Sequence, residues 1–378
     1  MKPSVIKNPR MDRLYNLLMP LLAALAALAV GAVMLLLLGV NPMVAYSALL
    51  EGAFGSKNAL ADTLVKATPL LLVGVGICIA FRGGVVNIGG EGQLVVGAVA
   101  STLVGLSFPE ASGWVVIPLA LLAGFLAGAI WGGIPGVLKA YFNVNEILST
   151  IMMNQIAVQG MNFLLRGPMI DPVQLQAASR IPQTARLSRL FDLPRLVPTR
   201  LHLGTALAVL VAILVFILLW RTIVGYRIRA VGLNPHASRY AGIHVQRYLV
   251  LALLLSGALG GLAGAVQVYG VHHRMFTDGS ATGFTGSAGF NGIVAALFGQ
   301  LHPLGTIPAA FLFGALLVGA NAMQRAVQVP SALITALNGL LVVFVVSTDL
   351  WRRRLQHKQL SETLREEISQ VKEVKATP

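Results

Sequence analysis

The stretch FRGGVVNIGGEGQ, from Phe81 to Gln93, lies between two long apolar runs and decides how the chain folds. It contains five glycines, together with an arginine, an asparagine, a glutamate and a glutamine. Such a segment either cradles phosphate in a nucleotide-binding protein or breaks a helix inside a membrane protein. Composition and the spacing of the glycines distinguish these two possibilities.

The composition favours a membrane protein. Hydrophobic residues make up 56% of the 378 residues and charged residues only 11%, against about 25% charged residues in soluble domains. The run Leu17–Val40 has 24 residues and no charge, enough at about 1.5 Å per residue to cross a hydrocarbon core of roughly 30 Å. This run is too long for the apolar part of a signal peptide, so we expect it to be retained. The predicted fold class is an all-α polytopic membrane protein.

Ten segments are candidate membrane spans, of which the third and eighth are short enough to be half-helices or tilted ends. They are Leu17–Val40, Leu60–Phe81, Leu94–Leu106, Val115–Leu138, Ile147–Leu165, Leu203–Trp220, Tyr248–Val268, Ala288–Phe298, Gly305–Ala320 and Leu333–Val346. Basic residues before the first span and directly after the last place both termini in the cytoplasm, because positive charge stays on that side. Both termini on one side require an even number of spans, so the short eighth segment is expected to cross.

This topology divides the chain into a cytoplasmic segment 1–16, a membrane domain 17–348 and a charged cytoplasmic tail 349–378. Within the membrane domain, the connection 221–247 falls inside and the connection 166–202 falls outside. The outer connection carries six arginines, two aspartates and five prolines, which indicates either a solvated loop or an extended cap that contacts a partner. The net charge of +14 follows the positive-inside pattern, so we expect no nucleic acid partner. The single cysteine, Cys78, excludes an intrachain disulfide, and no Cys/His cluster predicts a metal.

Glycines recur at intervals of four in two of the spans. Gly124, Gly128, Gly132 and Gly136 share one helical face, and the seventh span repeats the pattern with Gly257 and Gly261 and with Gly260 and Gly264. Such faces let helix backbones approach closely in lipid. They predict a tightly packed bundle and say nothing about a solute.

The glycine stretch does not match the Walker loop that binds nucleotide phosphates. Gly84 and Gly89 have the separation of a Walker loop, but Gly90 and Glu91 stand where lysine and serine or threonine are needed. A carboxylate at that place would repel phosphate. If the protein uses ATP, another subunit must therefore hold it.

The remaining interpretation is a broken membrane helix, whose free backbone groups and polar side chains can meet a solute. Asn87, Glu91 and Gln93 are the candidate solute contacts. Glu91 would cost about 2.5–3.5 kcal/mol at membrane depth and therefore needs a partner or water. The alternative is a plain cytoplasmic turn marked by Arg82.

A second glycine-rich interruption lies at TGFTGSAGFNGIVAALFGQLHPLG, Thr282–Gly305. Two interrupted spans, one in each half of a chain, are the best sequence indication of a transport site. Asn291 is a candidate solute contact. Phe290 could stack on a flat ring or simply pack.

The inner connection contains a helix-start signal at Asn234 and Pro235, followed by a short expected helix from His236 that Gly242 stops. A short helix across a cytoplasmic loop suits docking into a groove of a soluble subunit. The alternative is an arginine-rich loop that binds lipid headgroups.

The chain resembles the membrane permeases of ATP-binding-cassette importers, in the branch that carries ribose-type sugars, branched-chain amino acids and nucleosides. The likeness runs from about Asn41 to Thr348 and is strongest to the nucleoside permease. The motifs that carry it are FRGGVVNIGGEGQ, VNEILSTIMMNQIA (Val144–Ala157), GYRIRAVGLNPHASRYAGI (Gly225–Ile243), SGALGGLAGA (Ser256–Ala265) and GFNGIVAALFGQLHPLG (Gly289–Gly305).

The resemblance implies that the inner connection holds the coupling helix that meets the ATPase. The residues implied in docking are Arg227, Asn234, Pro235, His236, Ala237, Arg239, Ala241 and Gly242. The family's E-A-A pattern, with glycine three residues later, is degenerate here: Ala237 and Gly242 remain, but the glutamate is absent. The implied partners are an ATPase subunit, a second identical or related permease, an extracytoplasmic binding protein and the lipid of a bacterial inner membrane.

The predicted function is the transmembrane subunit of an importer for a nucleoside or a related small polar solute, with a simple sugar such as ribose as the alternative. The expected path includes Asn87, Glu91, Gln93, Asn154 and Asn291, and the chain needs no cofactor and catalyses nothing itself.

Two other classes fit the sequence less well. An ion-coupled secondary transporter usually needs acidic residues within its spans, where Glu91 is almost the only candidate. A membrane enzyme would have to use the pair His272–His273, near which the sequence offers only Asp278 as a carboxylate.

Overall fold

The computed structural model describes residues 25–177, 180–280 and 282–329, together with residues 336, 339, 340 and 343. This described part is built from helices and their connections, with two isolated β-bridges and no β-strand. The helices are α1 Leu25–Leu37, α2 Pro42–Phe54, α3 Lys57–Arg82, α4 Gly90–Ser107, α5 Gly113–Phe142, α6 Glu146–Arg166, α7 Pro172–Gln176, α8 Leu203–Arg221, α9 Ile223–Leu233, α10 Pro235–Tyr240, α11 Val245–Gln267, α12 Thr282–Thr285, α13 Ala288–Phe298 and α14 Pro303–Val327.

The described residues fall into two compact units. The larger unit is Ser47–Ala322, and the smaller one is drawn from the two ends of the chain. In the smaller unit, the Tyr46 hydroxyl donates a hydrogen bond to the carbonyl of Leu28 in α1. The functional site described below lies in the larger unit.

Five described helices are long and apolar enough to cross a membrane, namely α3, α5, α8, α11 with its π-helical extension to His272, and α14. The chain is therefore an all-α polytopic membrane protein. The second to ninth expected spans each fall on a described helix, and the first is described from Leu25 onward. The tenth, Leu333–Val346, lies outside the continuously described residues, so the number of ten spans and the side of the termini stay predictions.

Four helices were not expected from the sequence, namely α2, α9 and the single-turn helices α7 and α12. Helix α2 has only 13 residues and includes Glu51, and α9 has 11 residues with two arginines, so neither has the composition of a span. Helix α9 leads directly into α10, which makes the inner connection a pair of helices.

Helix α3 is the buried axis of the larger unit, and nearly every residue from Ala67 to Ala80 is buried. It begins where the Ser56 hydroxyl accepts the N–H of Ala59 at 3.0 Å. It ends at Arg82, because Gly83 and Gly84 follow and Gly84 adopts a φ of +78° that favours glycine. At 1.5 Å per residue, its 26 residues span about 39 Å.

The glycine faces of α5 and α11 meet as predicted. A Cβ on Gly128 would lie 2.3 Å from the Gly257 carbonyl oxygen, and one on Gly261 would lie 2.1 Å from that of Gly124. Helix α4 joins the same contact, since a Cβ on Gly97 would lie 2.3 Å from the backbone of Gly261. The prediction of a tightly packed bundle is confirmed, because no side chain larger than hydrogen fits at these crossings.

The glycine stretch breaks the chain between α3 and α4, so the helix-break interpretation is confirmed for residues 83–89. A Cβ on Gly90, the first residue of α4, would lie 3.1 Å from Val73 and 3.3 Å from Gly289. Val73 is nine residues, or about 14 Å, from the Arg82 end of α3. Helices α4 and α13 therefore begin side by side near the middle of α3.

The two half-helices then run to opposite ends of the bundle. The turn after α13 reaches Arg82, whose Nε donates to the Leu301 carbonyl at 3.1 Å. The last turns of α4 reach the end of α11, where a Cβ on Gly105 would lie 2.5 Å from the Tyr269 hydroxyl. We call these ends the Arg82 end and the Tyr269 end.

The described part of the connection 167–202 forms a folded cap on the Tyr269 end. Its backbone N–H groups donate to the segment after α11, from Leu193 to Tyr269 at 3.0 Å, from Leu187 to His273 at 2.8 Å and from Thr184 to Met275 at 2.9 Å. Phe191 and Leu193, both within this connection, are buried. These contacts favour the extended cap over a solvated loop.

Candidate functional site

The amide of Asn87 ties the break to α4 and α11. Its Nδ2 donates to Gln93 Oε1 at 3.1 Å and to Ser256 Oγ at 2.8 Å, and its Oδ1 accepts from the N–H of Gly89 at 2.8 Å and from Gln93 Nε2 at 3.2 Å. Asn87 is 0% and Gln93 2% exposed. The four bonds use the full capacity of this amide, so in this conformation Asn87 holds the break in place.

Helix α6 holds the other side of the break through Asn154. Its Oδ1 accepts from the N–H of Gly92 at 2.8 Å, and its Nδ2 donates to the Ile88 carbonyl at 2.9 Å. A free N–H in the first turn of α4 and a free carbonyl of the break are thereby both satisfied. One turn earlier, Thr150 Oγ1 accepts from the N–H of Ile88 at 3.4 Å.

Glu91 lies where the two half-helices begin, and its side chain is 2% exposed. Its carboxylate faces the Thr285 hydroxyl and the first N–H groups of α13, those of Gly289 and Phe290. Among the described residues neither carboxylate oxygen has a hydrogen bond of ordinary geometry. Two helix N-termini nevertheless place their positive ends toward this charge, which is the arrangement that stabilises a buried carboxylate.

The second predicted group is placed differently. Phe290 is 48% exposed and Asn291 is half-buried, both in the first turn of α13. The Asn291 side chain makes no hydrogen bond to another described residue. These two side chains are open to the surroundings, whereas Asn87, Glu91, Gln93 and Asn154 are sealed in the protein.

Sequence reasoning missed a polar stripe on α6. Gln155 and Gln159 are exposed, and Asn162 one turn later is half-buried, so the three share one face at intervals of four and three residues. Asn162 is tied to the segment that leads to α13, because its Nδ2 donates to the Gly279 carbonyl at 3.1 Å. The signal was present in the sequence as glutamines at i and i+4 within an expected span.

Lys66 was also missed, because it lies inside a strongly apolar span. It is exposed and stands nine residues, or about 14 Å, from the start of α3. Its Nζ is 4.0 Å from the place of a Cβ on Gly286, in the turn just before α13. A charged group this deep in a membrane helix is expensive unless it faces water or a partner.

The inner helix pair has the predicted start. Asn234 Oδ1 accepts the N–H of Ala237 at 3.0 Å, Pro235 opens α10, and Gly242 follows the helix with a φ of +78°. The helix ends at Tyr240, two residues before the glycine that was expected to stop it. Arg227 on α9 donates to the Tyr248 hydroxyl of α11 at 2.9 Å.

The surface of this helix pair is exposed and partly apolar. The exposed polar and small residues are Arg227, Asn234, Pro235, His236, Ala237, Arg239, Ala241 and Gly242. Two large side chains that sequence reasoning did not single out are almost fully exposed on this surface, Leu233 at 87% and Tyr240 at 95%. Exposed leucine and tyrosine beside arginines are typical of a surface that another protein covers.

At the Tyr269 end, the expected surroundings of the histidine pair were wrong. His273 Nδ1 lies 2.7 Å from Asp192 Oδ1, a carboxylate 81 positions away in the sequence, whereas Asp278 accepts from the N–H of Ser280 at 2.9 Å. Burial lowers the pKa of His273, and Asp192 opposes that shift. The pair joins the cap to the segment after α11, a structural role.

Comparison with known proteins accounts for this arrangement. Residues 59–346 match the family described as the permease component of the branched-chain amino acid transport system. The chain belongs to this permease family. The matched range contains both half-helices and the inner helix pair.

Individual permeases are similar over most of their length. The chain is 38% identical over 336 residues to a guanosine ABC transporter permease, NupP of Bacillus subtilis, covering 89% of this chain and 94% of the relative. It is 34% identical over 347 residues to a glucose ABC transporter permease, TsgB13 of Haloferax volcanii, covering 88% of each. It is 32% identical over 339 residues to a nucleoside ABC transporter permease, NupB of Lactococcus lactis subsp. cremoris, covering 87% and 90%. No solved structure matches the chain.

As a permease component, this chain is a transmembrane subunit of an ATP-binding-cassette transporter and not itself an enzyme. The family implies an ATPase and a substrate-binding protein as partners. The resemblance inferred from the motifs is thereby confirmed.

Proposed function

We propose that this chain forms the import path for nucleosides, or for a closely related small polar solute, and that a separate ATPase drives it. Two of the relatives above carry nucleosides in their names, one of them guanosine. A simple sugar is the second candidate, because the haloarchaeal relative is a glucose permease at 34% identity.

The observation that carries the path is the polar stripe of Gln155 and Gln159 on the exposed face of α6. Amide side chains find no hydrogen-bond partners in hydrocarbon, so this face borders water or another protein subunit rather than lipid. Asn162 connects the stripe to the segment before α13, and Phe290 and Asn291 are open on α13 itself. We therefore assign the solute path to this side of the molecule, with Phe290 as the side chain that stacks on a flat base.

The sealed polar cluster forms the frame of the path in the present conformation. Asn87, Gln93 and Asn154 fix the break, and Glu91 faces the first N–H groups of α13 from the first turn of α4. A shift of either half-helix would open this cluster, so direct solute contact by these four residues stays a prediction for another state of the transport cycle.

The inner helix pair is the ATPase-docking surface in this proposal, with α10 as the coupling helix. Its arginines, together with exposed Leu233 and Tyr240, suit a groove that is apolar in its centre and charged at its rim. The Arg82 end then faces the cytoplasm of a bacterium and lies on the inner side of its inner membrane. The cap 167–202 faces outward, where a binding protein delivers the solute.

A second permease, identical or related, completes the path. It would cover the α6 face, which gives the exposed glutamines a second polar wall across a water-filled gap. Membrane lipid covers the remaining apolar surface.

Replacement of His236–Arg239 by a Gly/Ser run of equal length tests the docking assignment. We expect the ATPase to dissociate from the permease during purification and guanosine uptake in cells to be lost. A Gly/Ser replacement of residues 196–199, which are exposed or nearly so on the cap, is the matched control and should leave the ATPase bound. Retention of both the ATPase and uptake by the His236–Arg239 variant would remove α10 from the coupling role.

A further inference from the structure

We infer that Trp220 and Gly232 are positioning residues that transmit the movement of α9 and α10 to both half-helices. The inference rests on the proposed docking role of α10. It goes further by naming the contacts through which a displacement of α10 reaches the break and the first turns of α4 and α13 near Glu91.

The helix pair α9–α10 is bound firmly to the helices beside it. The Arg229 Nε donates to the Leu219 carbonyl in the last turn of α8 at 2.9 Å. The Thr222 hydroxyl donates to the Leu218 carbonyl at 2.6 Å and accepts from the N–H of Gly225 at 3.1 Å. Helix α9 is joined to α10 through Asn234, whose N–H donates to the Ala230 carbonyl at 3.1 Å and whose carbonyl accepts from the N–H of Ser238 at 3.0 Å. A displacement of α10 therefore moves α9 and the last turn of α8 with it.

The first contact is between the backbones of α9 and the break. A Cβ on Gly232 would lie 2.1 Å from the Arg82 carbonyl oxygen and 2.7 Å from the N of Gly84. In the other direction, a Cβ on Gly84 would lie 2.8 Å from Gly232 Cα. The last turn of α9 thus rests on the hinge between α3 and the break, with no side chain between them to absorb a shift.

From this hinge, the shift has a short route to the start of α4. Asn87 is three residues beyond Gly84, and its four hydrogen bonds join the break to Gln93 on α4 and Ser256 on α11. Because the Asn87 side chain and the backbone groups of Ile88 and Gly89 are held by fixed partners, we expect this part of the break to move as one piece rather than to bend locally.

The second contact runs through the indole of Trp220 at the end of α8. The guanidinium carbons of Arg229 and Arg82 lie 5.5 Å and 5.6 Å from its ring centroid. The ring of His302, between α13 and α14, has its centroid 4.7 Å from that of Trp220. Cation–π contacts of this kind are stronger where the ring and the guanidinium are shielded from water.

Arg82 also binds the turn that follows α13. Its Nε donates to the Leu301 carbonyl at 3.1 Å and its Nη2 to the Gln300 carbonyl at 3.3 Å. Gln300 and Leu301 have φ values of +58° and +53°, so the turn that ends α13 is strained and held in place by its surroundings. One indole therefore joins the docking helices, the end of α3 and the end of α13.

The test uses the complete transporter, with its ATPase and binding protein, in proteoliposomes. The measured quantity is the ratio of guanosine transported to ATP hydrolysed. Trp220→Leu removes the ring, and we expect assembly and ATP hydrolysis to persist while the ratio falls at least about fivefold, within the range of coupling factors in proteins. Trp220→Phe keeps an aromatic face and should restore most of the ratio. A normal ratio in Trp220→Leu would overturn the role of the indole.

Gly232→Ala tests the backbone contact, with Gly133→Ala as the matched control. A methyl at Gly133 would meet only Leu254 Cδ1 at 3.9 Å, whereas one at Gly232 would clash with backbone. We expect Gly232→Ala to lower the ratio at least about fivefold in the assembled complex. If that variant does not assemble, hydrogen exchange in the unsubstituted complex replaces it. ATP binding should change the exchange rate of the backbone N–H groups of residues 83–89 together with those of α9, whereas exchange at residues 83–89 that is indifferent to ATP would overturn the backbone contact.

The outcomes separate this inference from the proposed function. If replacement of His236–Arg239 releases the ATPase and Trp220→Leu transports normally, only the transmission through Trp220 is wrong. If that replacement leaves the ATPase bound, the docking role of α10 is wrong as well.

Discussion

Replacement of Asn87 by alanine should destabilise the permease more than any other single loss of a polar side chain in the described membrane helices and the break. The change removes an amide that makes four hydrogen bonds in a site that is 0–2% exposed. It leaves three groups without their partner, namely the N–H of Gly89, the amide of Gln93 and the hydroxyl of Ser256.

The magnitude follows from two estimates that bracket the effect. Hydrogen bonds inside membrane proteins average about 0.6 kcal/mol, so four of them give a lower value of about 2 kcal/mol. A buried group left unsatisfied costs about 1–3 kcal/mol, so three of them at about 2 kcal/mol each give an upper value of about 6 kcal/mol. We expect a loss of about 2–6 kcal/mol in the free energy of unfolding.

The assay is reversible unfolding of the purified permease in micelles, followed by tryptophan fluorescence. Gln155→Ala is the control, because that side chain is exposed and makes no hydrogen bond with another described residue, and it should change stability by less than about 0.5 kcal/mol. Ser256→Ala removes one of the four bonds and should fall between the two. If Asn87→Ala unfolds within about 0.5 kcal/mol of the parent chain, the cluster does not hold the break.

Three further predictions concern the path, the helix crossing and the cap. Gln155→Leu with Gln159→Leu should abolish guanosine uptake while the unfolding midpoint stays unchanged, because both side chains are exposed; undiminished uptake would contradict the placement of the path on α6. Gly261→Val should cost about 1–3 kcal/mol of stability or prevent accumulation, because even its Cβ would lie 2.1 Å from the Gly124 carbonyl oxygen, whereas Gly133→Ala should be neutral; equal protein levels and midpoints would contradict the close crossing. Burial lowers the pKa of His202 to about 4, below its ordinary value of about 6.5. The contribution of neutral His202 to stability is therefore fully present above about pH 6.5, and this contribution, about 3 kcal/mol, is lost as the pH falls toward 4. His202→Leu should therefore weaken the fall of the unfolding midpoint between pH 7.5 and pH 4.5, and an unaltered fall would exclude His202 as a cause.

Local features were predictable from the sequence because their cause is local. The glycines of residues 83–92 weaken a helix wherever they stand, and Asn234 followed by Pro235 starts a helix by its own chemistry. Glycines at intervals of four place a smooth face on α5 whatever its neighbour is, so the close crossing with α11 could be expected.

Pairings between distant residues could not be predicted. Asn87 and Ser256 are 169 positions apart, and Asp192 and His273 are 81 apart, so nothing in the sequence joins them. The partners of Asn87 and Asn154 show that both side chains hold the break in this conformation, and their contact with the solute stays a prediction. Lys66 escaped notice because the apolar average of its span hides one charge, and the exposed stripe on α6 required a helical wheel to be seen.

Uptake by the reconstituted protein tests the central claim, which is that this chain forms the solute path but does not itself drive transport. Vesicles should contain either the permease alone or the permease with its ATPase and binding protein, and each preparation is supplied with guanosine, ATP and an imposed proton gradient. The account predicts accumulation against a concentration difference only in the complete complex, only with ATP and regardless of the proton gradient. Accumulation by the permease alone, driven by the gradient, would contradict it.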